Sequence, residues 1–176
     1  MPDSKATRPA TDRVREAVFS SLGESVVDAV VTDLYAGSGS FGLEALSRGA
    51  ASAVFVESGR RALEALRTNV TAVGLGGTVI AAPVADYLGR ANHRFHLAFM
   101  DPPWDMATAT MEEELRALDR LLAPGSAVVV SRRHTDRVPR PPETWRVAAE
   151  KRYGDSRIIR YQKREDDDDG ALPGEL

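Results

Sequence analysis

The sequence predicts an α/β fold, in which a mostly parallel sheet is covered by helices on both faces. Short apolar runs alternate with longer segments of helical periodicity between residues 30 and 130. After Arg133 the pattern changes, and apolar and polar residues alternate with period 2 on both sides of Gly154-Asp155. This alternation is typical of an antiparallel hairpin at a sheet edge. No linker divides the body of the 176-residue chain, so we expect one domain over residues 1–164.

The individual elements follow from these patterns. Five apolar runs predict parallel strands over residues 29–35, 53–56, 78–81, 95–100 and 127–130. Helices are predicted through residues 44–46, over 60–73 up to Gly74, through 87–88 and over 111–122 up to Pro124-Gly125. The hairpin pairs residues 145–149 with 157–161, and Trp145 is expected to pack in the core.

The N-terminal unit, residues 1–24, is predicted to consist of an extended segment and a helix. Residues 1–12 are expected to be extended. Thr11 or Asp12 would cap a helix whose apolar positions are Val14, Val18 and Leu22.

The composition narrows the class of protein. The chain has no Cys, which excludes disulfides, thiolate metal ligands and a cysteine nucleophile. Its three His residues have no metal-ligand spacing, so no metal site is predicted. No stretch approaches the roughly 18 apolar residues of a membrane span, and the N-terminus lacks the layout of a secretory signal. These features favour a cytoplasmic protein with no membrane partner.

The net charge of −3 hides an uneven distribution. Residues 165–176 contain six acidic side chains and no basic one, and they are predicted to form a disordered tail. The remaining body has a charge of about +3. Residues 132–164 carry eleven Lys or Arg against four acids, a pattern that fits either a polyanionic partner or a solvated basic surface.

A glycine-rich turn follows the first predicted strand and begins a helix. Gly37 to Gly42 satisfy G-x-G-x-x-G, and Glu57 ends the next strand 20 residues after Gly37. Glycine lets a ligand approach the backbone, and an acid in this place accepts hydrogen bonds from ribose hydroxyls. These features alone leave open an NAD-type site and an S-adenosylmethionine site.

Three carboxylates favour the sulfonium cofactor. Asp33 on the first strand suits a cationic amino-acid group better than a pyrophosphate, although it could be a buried acid tied to the turn amides. Asp86 follows the third strand, where it could meet an adenine amino group or cap a helix. Asp101 ends the fourth strand. Because ligands bind beyond the carboxyl ends of parallel strands, all three should converge with Gly37 and Glu57 on one crevice.

The tetrapeptide Asp101-Pro102-Pro103-Trp104 predicts a site for a planar amine. Two prolines make the turn stiff, and they leave the carbonyls of Asp101 and Pro102 with few local donors. Such acceptors could bind an amino group while its ring stacks on Trp104. The alternative is a strand-to-loop turn with a core tryptophan.

Together these residues resemble the class I S-adenosylmethionine-dependent methyltransferases. The chain is more narrowly similar to the bacterial family that methylates a guanine N2 amine in 16S ribosomal RNA. Three stretches carry the closer resemblance, and they lie at residues 8–16, 36–49 and 153–157. Two features depart from the family, which usually has Tyr or Phe in place of Trp104 and a basic, Gly-containing segment before Arg8.

The resemblance implies a Rossmann-like class I methyltransferase fold with a seven-stranded sheet, and S-adenosyl-L-methionine as cofactor. It implies action on 16S rRNA, in a partly or fully assembled small subunit. The oligomeric state stays open, with a monomer as the default expectation. Asp101 and Pro102 would bind the amine, Trp104 would hold the ring, and Asp101 could accept the proton. The implied cofactor-binding residues are Thr11, Arg13, Asp33, Tyr35, Ala36, Gly37, Gly39, Glu57, Ser58, Ala85 and Asp86.

Three other functions compete with this one. An NAD-dependent oxidoreductase could use the same glycine turn, but no Tyr-x-x-x-Lys occurs and no catalytic His pair is evident. A non-catalytic RNA-binding module would leave Asp101-Pro102-Pro103 without a role. An adenine N6 or protein glutamine amide would use the same chemistry, but those enzymes usually have Asn-Pro-Pro.

Overall fold

The computed structural model describes residues 8–166, and of residues 8–11 it describes the backbone alone. Its helices are α1 (Arg8–Leu22), α2 (Ser40–Ser47), α3 (Arg60–Val73), α4 (Val84–Arg90) and α5 (Thr108–Asp119), with a 3-10 helix at Gly23–Val26. Its strands are β1 (Val30–Leu34), β2 (Ser52–Glu57), β3 (Thr78–Ala81), β4 (Phe95–Met100), β5 (Leu122–Arg133), β6 (Trp145–Tyr153) and β7 (Ser156–Lys163).

The seven strands form one sheet in the order β3-β2-β1-β4-β5-β7-β6. Strands β1 to β5 are parallel, whereas β7 is antiparallel to both β5 and β6. The predicted fold class is therefore confirmed, including the C-terminal hairpin. The direction of the strand order reverses between β1 and β4, and a crevice forms at such a point beyond the carboxyl ends of the strands.

Both faces of the sheet are buried. In β4, Leu97 and Phe99 pack into a cluster with α1, α2 and α3, while Ala98 and Met100 pack on the other face with α4 and α5. This two-sided burial explains why the parallel strands read as continuous apolar runs. The carboxyl ends of β1, β2 and β4 are thereby held rigidly side by side.

Two predicted boundaries were wrong. Helix α1 begins at Arg8, so residues 8–12 are helical rather than extended, and residues 1–7 lie outside the described residues. Pro9 is compatible with this start, because the first turn of a helix does not need its N–H. Thr11 and Asp12, the two expected caps, both lie inside the helix.

Helix α5 ends at Asp119, and Leu122 already belongs to β5. Pro124-Gly125 lies in a shift of register between β4 and β5, in which Ser126 Oγ donates to the Phe95 carbonyl over 2.9 Å. Proline is tolerated in a strand at such an irregularity. The apolar positions that predicted a longer helix thus belong partly to the strand.

Trp145 packs in the core, as predicted. It is 3% exposed, and its Nε1 donates to Asp119 Oδ1 over 2.7 Å. No helix in residues 8–166 is long and apolar enough to cross a membrane.

Candidate active site

The turn between β1 and α2 uses its glycines in two ways. Gly37 has φ +57°, and an added Cβ there would meet no atom within 4 Å, so this glycine faces open space. At Gly39 an added Cβ would lie 2.7 Å from Leu66 Cδ1, and at Gly42 it would overlap the Phe55 ring. Gly39 and Gly42 therefore allow close packing of α2, while Gly37 gives a ligand access to the backbone.

Glu57, at the end of β2, is fixed by backbone donors. Its Oε1 accepts the N–H of Gly37 over 2.8 Å, and its Oε2 accepts the N–H groups of Ser58 and Gly59 over 2.9 and 2.8 Å. A carboxylate offers about four acceptor positions, so one remains on Oε1 for a hydroxyl donor. Ser58 and Gly59 are exposed beside it.

Asp33 lies beneath the turn and is 2% exposed. Its Oδ2 accepts the N–H of Gly42 over 2.9 Å. Burial raises the pKa of Asp33 to about 8, and the nearby negative charges of Asp101 and Glu57 act in the same direction. Asp33, Glu57 and Asp101 therefore lie close together, but Asp33 contacts the protein backbone and is protonated near neutral pH.

Tyr35 directs its side chain away from the turn toward α5. Its backbone is left-handed, with φ 59°. Its hydroxyl lies 2.7 Å from both oxygens of Glu114, which is 6% exposed, and 3.9 Å from Met106 Sδ. Burial raises the pKa of the Glu114 carboxyl above its ordinary value. Sequence reasoning placed Tyr35 at the cofactor site and missed Glu114, which no local motif marks.

The Asp101-Pro102-Pro103-Trp104 loop leaves β4 at the same edge of the sheet. Asp101 is exposed to the crevice, yet burial by surrounding protein raises its pKa, while a hydrogen bond with Ser131 opposes that shift. Among the described residues, neither the Asp101 nor the Pro102 carbonyl accepts a hydrogen bond. The loop therefore offers a carboxylate and two carbonyl acceptors, as the prolines predicted.

Trp104 follows these acceptors and is 41% exposed. The guanidinium carbon of Arg133, at the end of β5, lies 5.2 Å from the centre of its ring. The expectation of an accessible aromatic surface therefore agrees with the geometry, whereas a core tryptophan does not. Sequence reasoning did not single out Arg133.

The other predicted residues are more peripheral. Ala36 is buried and donates its N–H to Val56 O over 3.0 Å, which ties the turn to β2. Ala85 and Asp86 are exposed in the first turn of α4. Arg13 is exposed on α1, and the side chain of Thr11 lies outside the described part of the chain.

Ion pairs reduce the basic surface that composition suggested. Arg132 is buried against Asp136, and the other three pairs are Arg137–Glu112, Arg157–Glu150 and Lys163–Asp119. The other seven cations of this region make no ion pair within residues 12–166, and they are Arg133, Arg140, Arg146, Lys151, Arg152, Arg160 and Arg164. Arg133 and the β6–β7 turn lie at the same sheet edge as Asp101, because Arg133 pairs with Ser156.

The fold and site define a class I S-adenosylmethionine-dependent methyltransferase, and S-adenosyl-L-methionine is the cofactor of this class. The open space at Gly37 and the acceptor remaining on Glu57 fit such a nucleoside cofactor. Magnesium protoporphyrin IX methyltransferase from Synechocystis PCC 6803, solved with bound SAM, has the same fold. Its TM-score is 0.72 at 14% identity, with 90% of this chain and 82% of that chain covered.

The chain belongs to the family described as conserved hypothetical protein 95, whose model matches residues 1–162. It is 34% identical to ribosomal RNA small subunit methyltransferase D of Escherichia coli (strain K12), over 93% of this chain and 83% of that protein. The Haemophilus influenzae protein of that name is 30% identical, with 91% and 83% covered. The solved Escherichia coli protein yhhF has a TM-score of 0.81 at 32% identity, with 93% and 89% covered. The predicted family resemblance is confirmed.

Proposed function

We propose that this protein transfers a methyl group from S-adenosylmethionine to the exocyclic N2 amine of a guanine in 16S rRNA of the small ribosomal subunit. The observation that carries the proposal is the pair of unpaired carbonyl acceptors beside the Asp101 carboxylate and the exposed Trp104 ring. The names of the family's relatives support rRNA as substrate.

The cofactor would lie across the carboxyl ends of β1, β2 and β3. Glu57 would bind the ribose hydroxyls, and Gly37 would allow close approach of the methionine end. Asp86 and Ala85 would contact the adenine edge, since both are exposed in the first turn of α4. When bound, S-adenosylmethionine supplies an electrophilic methyl group on a sulfonium.

The target guanine must leave its stack to enter this crevice. Its N2 amine is a poor nucleophile because the nitrogen lone pair is delocalised into the ring. Two hydrogen bonds, from the amine to the Asp101 carboxylate and to the Pro102 carbonyl, would orient the nitrogen toward the methyl group. Trp104 would hold the base plane, so most of the rate gain comes from positioning.

Asp101 is also suited to take the proton that the amine loses. The pKa of Asp101 is raised, so it lies closer to neutral pH than the pKa of an ordinary aspartate. A general base works best when its pKa is near the working pH. The carboxyl must be ionised to accept, so activity should fall as the pH drops through its pKa.

Exposed cations at the sheet edge that carries Asp101 would bind the RNA phosphates. Lys151 and Arg152 lie at the end of β6, on the sheet edge that carries the active site, and they make no ion pair within residues 12–166. Arg146, the second residue of β6, lies at the opposite edge. We infer a cytoplasmic enzyme that acts as a monomer on a partly or fully assembled subunit.

The test is transfer of labelled methyl groups to small subunits from cells that lack this protein, followed by nucleoside analysis. N2-methylguanosine is the expected product. N6-methyladenosine would refute the base assignment, and absence of incorporation would refute rRNA as substrate.

Substitutions at the two halves of the site separate chemistry from binding. Asp101→Asn should lower kcat by about 10²–10⁴-fold and leave S-adenosylhomocysteine binding near wild type, because Asp101 contacts the base rather than the cofactor. Asp105→Asn, an exposed carboxyl in the following loop, is the matched control. Glu57→Gln should weaken S-adenosylhomocysteine binding, and an unchanged dissociation constant would contradict its ribose role.

A further inference from the structure

One face of the Trp104 ring is covered by a neighbouring cation. Arg133 Cζ lies 5.2 Å from the ring centre, and the Arg133 side chain is half-buried at the end of β5. A base placed between the guanidinium and the indole would need two contacts of about 3.5 Å each, about 7 Å in total. The observed separation therefore leaves only the opposite face of the indole available for stacking.

The loop backbone and the indole are held by different contacts. Met106 N donates to the Pro103 carbonyl over 3.1 Å, and Arg132 Nη2, from a side chain 2% exposed, donates to the Met106 carbonyl over 2.8 Å. Neither contact reaches the indole. Trp104 Nε1 makes no hydrogen bond within the described residues, and the Arg133 guanidinium lies over the ring.

We infer that Arg133 is a positioning residue, whose guanidinium orients the Trp104 ring and confines stacking of the target base to one face. A cation over an indole is attracted by the negative face of the ring. The ring is then already oriented when the base arrives, which reduces the conformational freedom lost on binding. The identity of the base rests on the proposed function, whereas the Arg133–Trp104 contact does not.

Acrylamide quenching of tryptophan fluorescence tests the contact directly. The chain has two tryptophans, and because Trp145 is 3% exposed, the quenchable emission comes from Trp104. Acrylamide is neutral, so the loss of a charge does not change its local concentration. Arg133→Gln should raise the quenching constant, Arg133→Lys should keep it closer to wild type, and Arg67→Gln on the exposed surface of α3 should leave it unchanged.

Kinetics with small subunits test the consequence. Arg133→Gln should raise KM for the subunit about two- to fivefold, with kcat and S-adenosylhomocysteine binding little changed, and Arg133→Lys should restore part of the loss. Wild-type quenching in Arg133→Gln, or raised quenching with unchanged KM, would overturn the inference. If the wild-type protein makes no N2-methylguanosine, the proposed function fails, and quenching still tests whether Arg133 orients Trp104.

Discussion

Asp33→Asn should gain stability relative to wild type as the pH rises from 5 to 7, although it alters a residue beneath the cofactor turn. The carboxyl is 2% exposed, and burial raises its pKa from 3.8 to about 8. The folded state therefore keeps a proton that the unfolded state releases above about pH 4. The contribution of Asp33 to the unfolding free energy is greatest below pH 4 and falls between pH 4 and pH 8. Above pH 8 it no longer changes.

The magnitude follows from proton linkage. Each pH unit within that window lowers the unfolding free energy by about 1.4 kcal/mol, or about 2.7 kcal/mol between pH 5 and pH 7. Asparagine resembles the protonated carboxyl, and its oxygen can still accept the Gly42 N–H. The stability of Asp33→Asn relative to wild type should therefore rise by about 2.7 kcal/mol over the same range.

Urea denaturation at pH 5, 6 and 7, followed by circular dichroism, measures this difference. Asp28→Asn, which removes an exposed carboxyl, is the control for the loss of one negative charge. The reasoning is refuted if the difference in unfolding free energy between Asp33→Asn and wild type changes by less than about 0.5 kcal/mol from pH 5 to pH 7.

A positive group bound near Asp33 would lower the pKa of that carboxyl, so S-adenosylhomocysteine should bind wild type more tightly at pH 8 than at pH 6.

Two further predictions concern packing. Gly42→Ala should lower the unfolding free energy by about 1–3 kcal/mol, because the new Cβ would overlap the buried Phe55 ring. Gly37→Ala should cost about 1–2 kcal/mol through its φ of +57°, and it should weaken S-adenosylhomocysteine binding more than Gly42→Ala does. Equal effects of the two variants on calorimetric cofactor affinity would contradict this division. Trp145→Phe should cost about 1.5–3 kcal/mol in urea denaturation, because it removes the 2.7 Å bond from Nε1 to Asp119, and unchanged stability would count against that bond.

The sequence predicts best where its signals are local. Helix α3 has the bounds Arg60–Val73 that its periodicity and Gly74 indicated, since Gly74 takes the left-handed conformation that ends a helix. Strands β3 and β4 also have their predicted bounds. The convergence of Asp33, Glu57 and Asp101 was predictable because parallel strands place their carboxyl ends at one edge.

Side-chain partners distant in sequence were not predictable. Tyr35 lies beside the glycine turn, but its hydroxyl binds Glu114, 79 residues away, and this bond turns the ring from the crevice. The number of Lys and Arg residues in 132–164 likewise did not indicate that Arg137 forms an ion pair with Glu112 on α5. Such pairs depend on how helices pack on the sheet, which periodicity does not specify.

These distant partners connect the two halves of the active site. The Tyr35 hydroxyl contacts Glu114 and Met106 Sδ, and Arg132 binds the Met106 carbonyl from the end of β5. The turn proposed to bind the cofactor and the loop proposed to bind the base are therefore attached to one buried group of side chains. Because in-line methyl transfer depends on the separation and angle between donor and amine, we expect a connection between the two loops to contribute to catalysis without contacting either reactant.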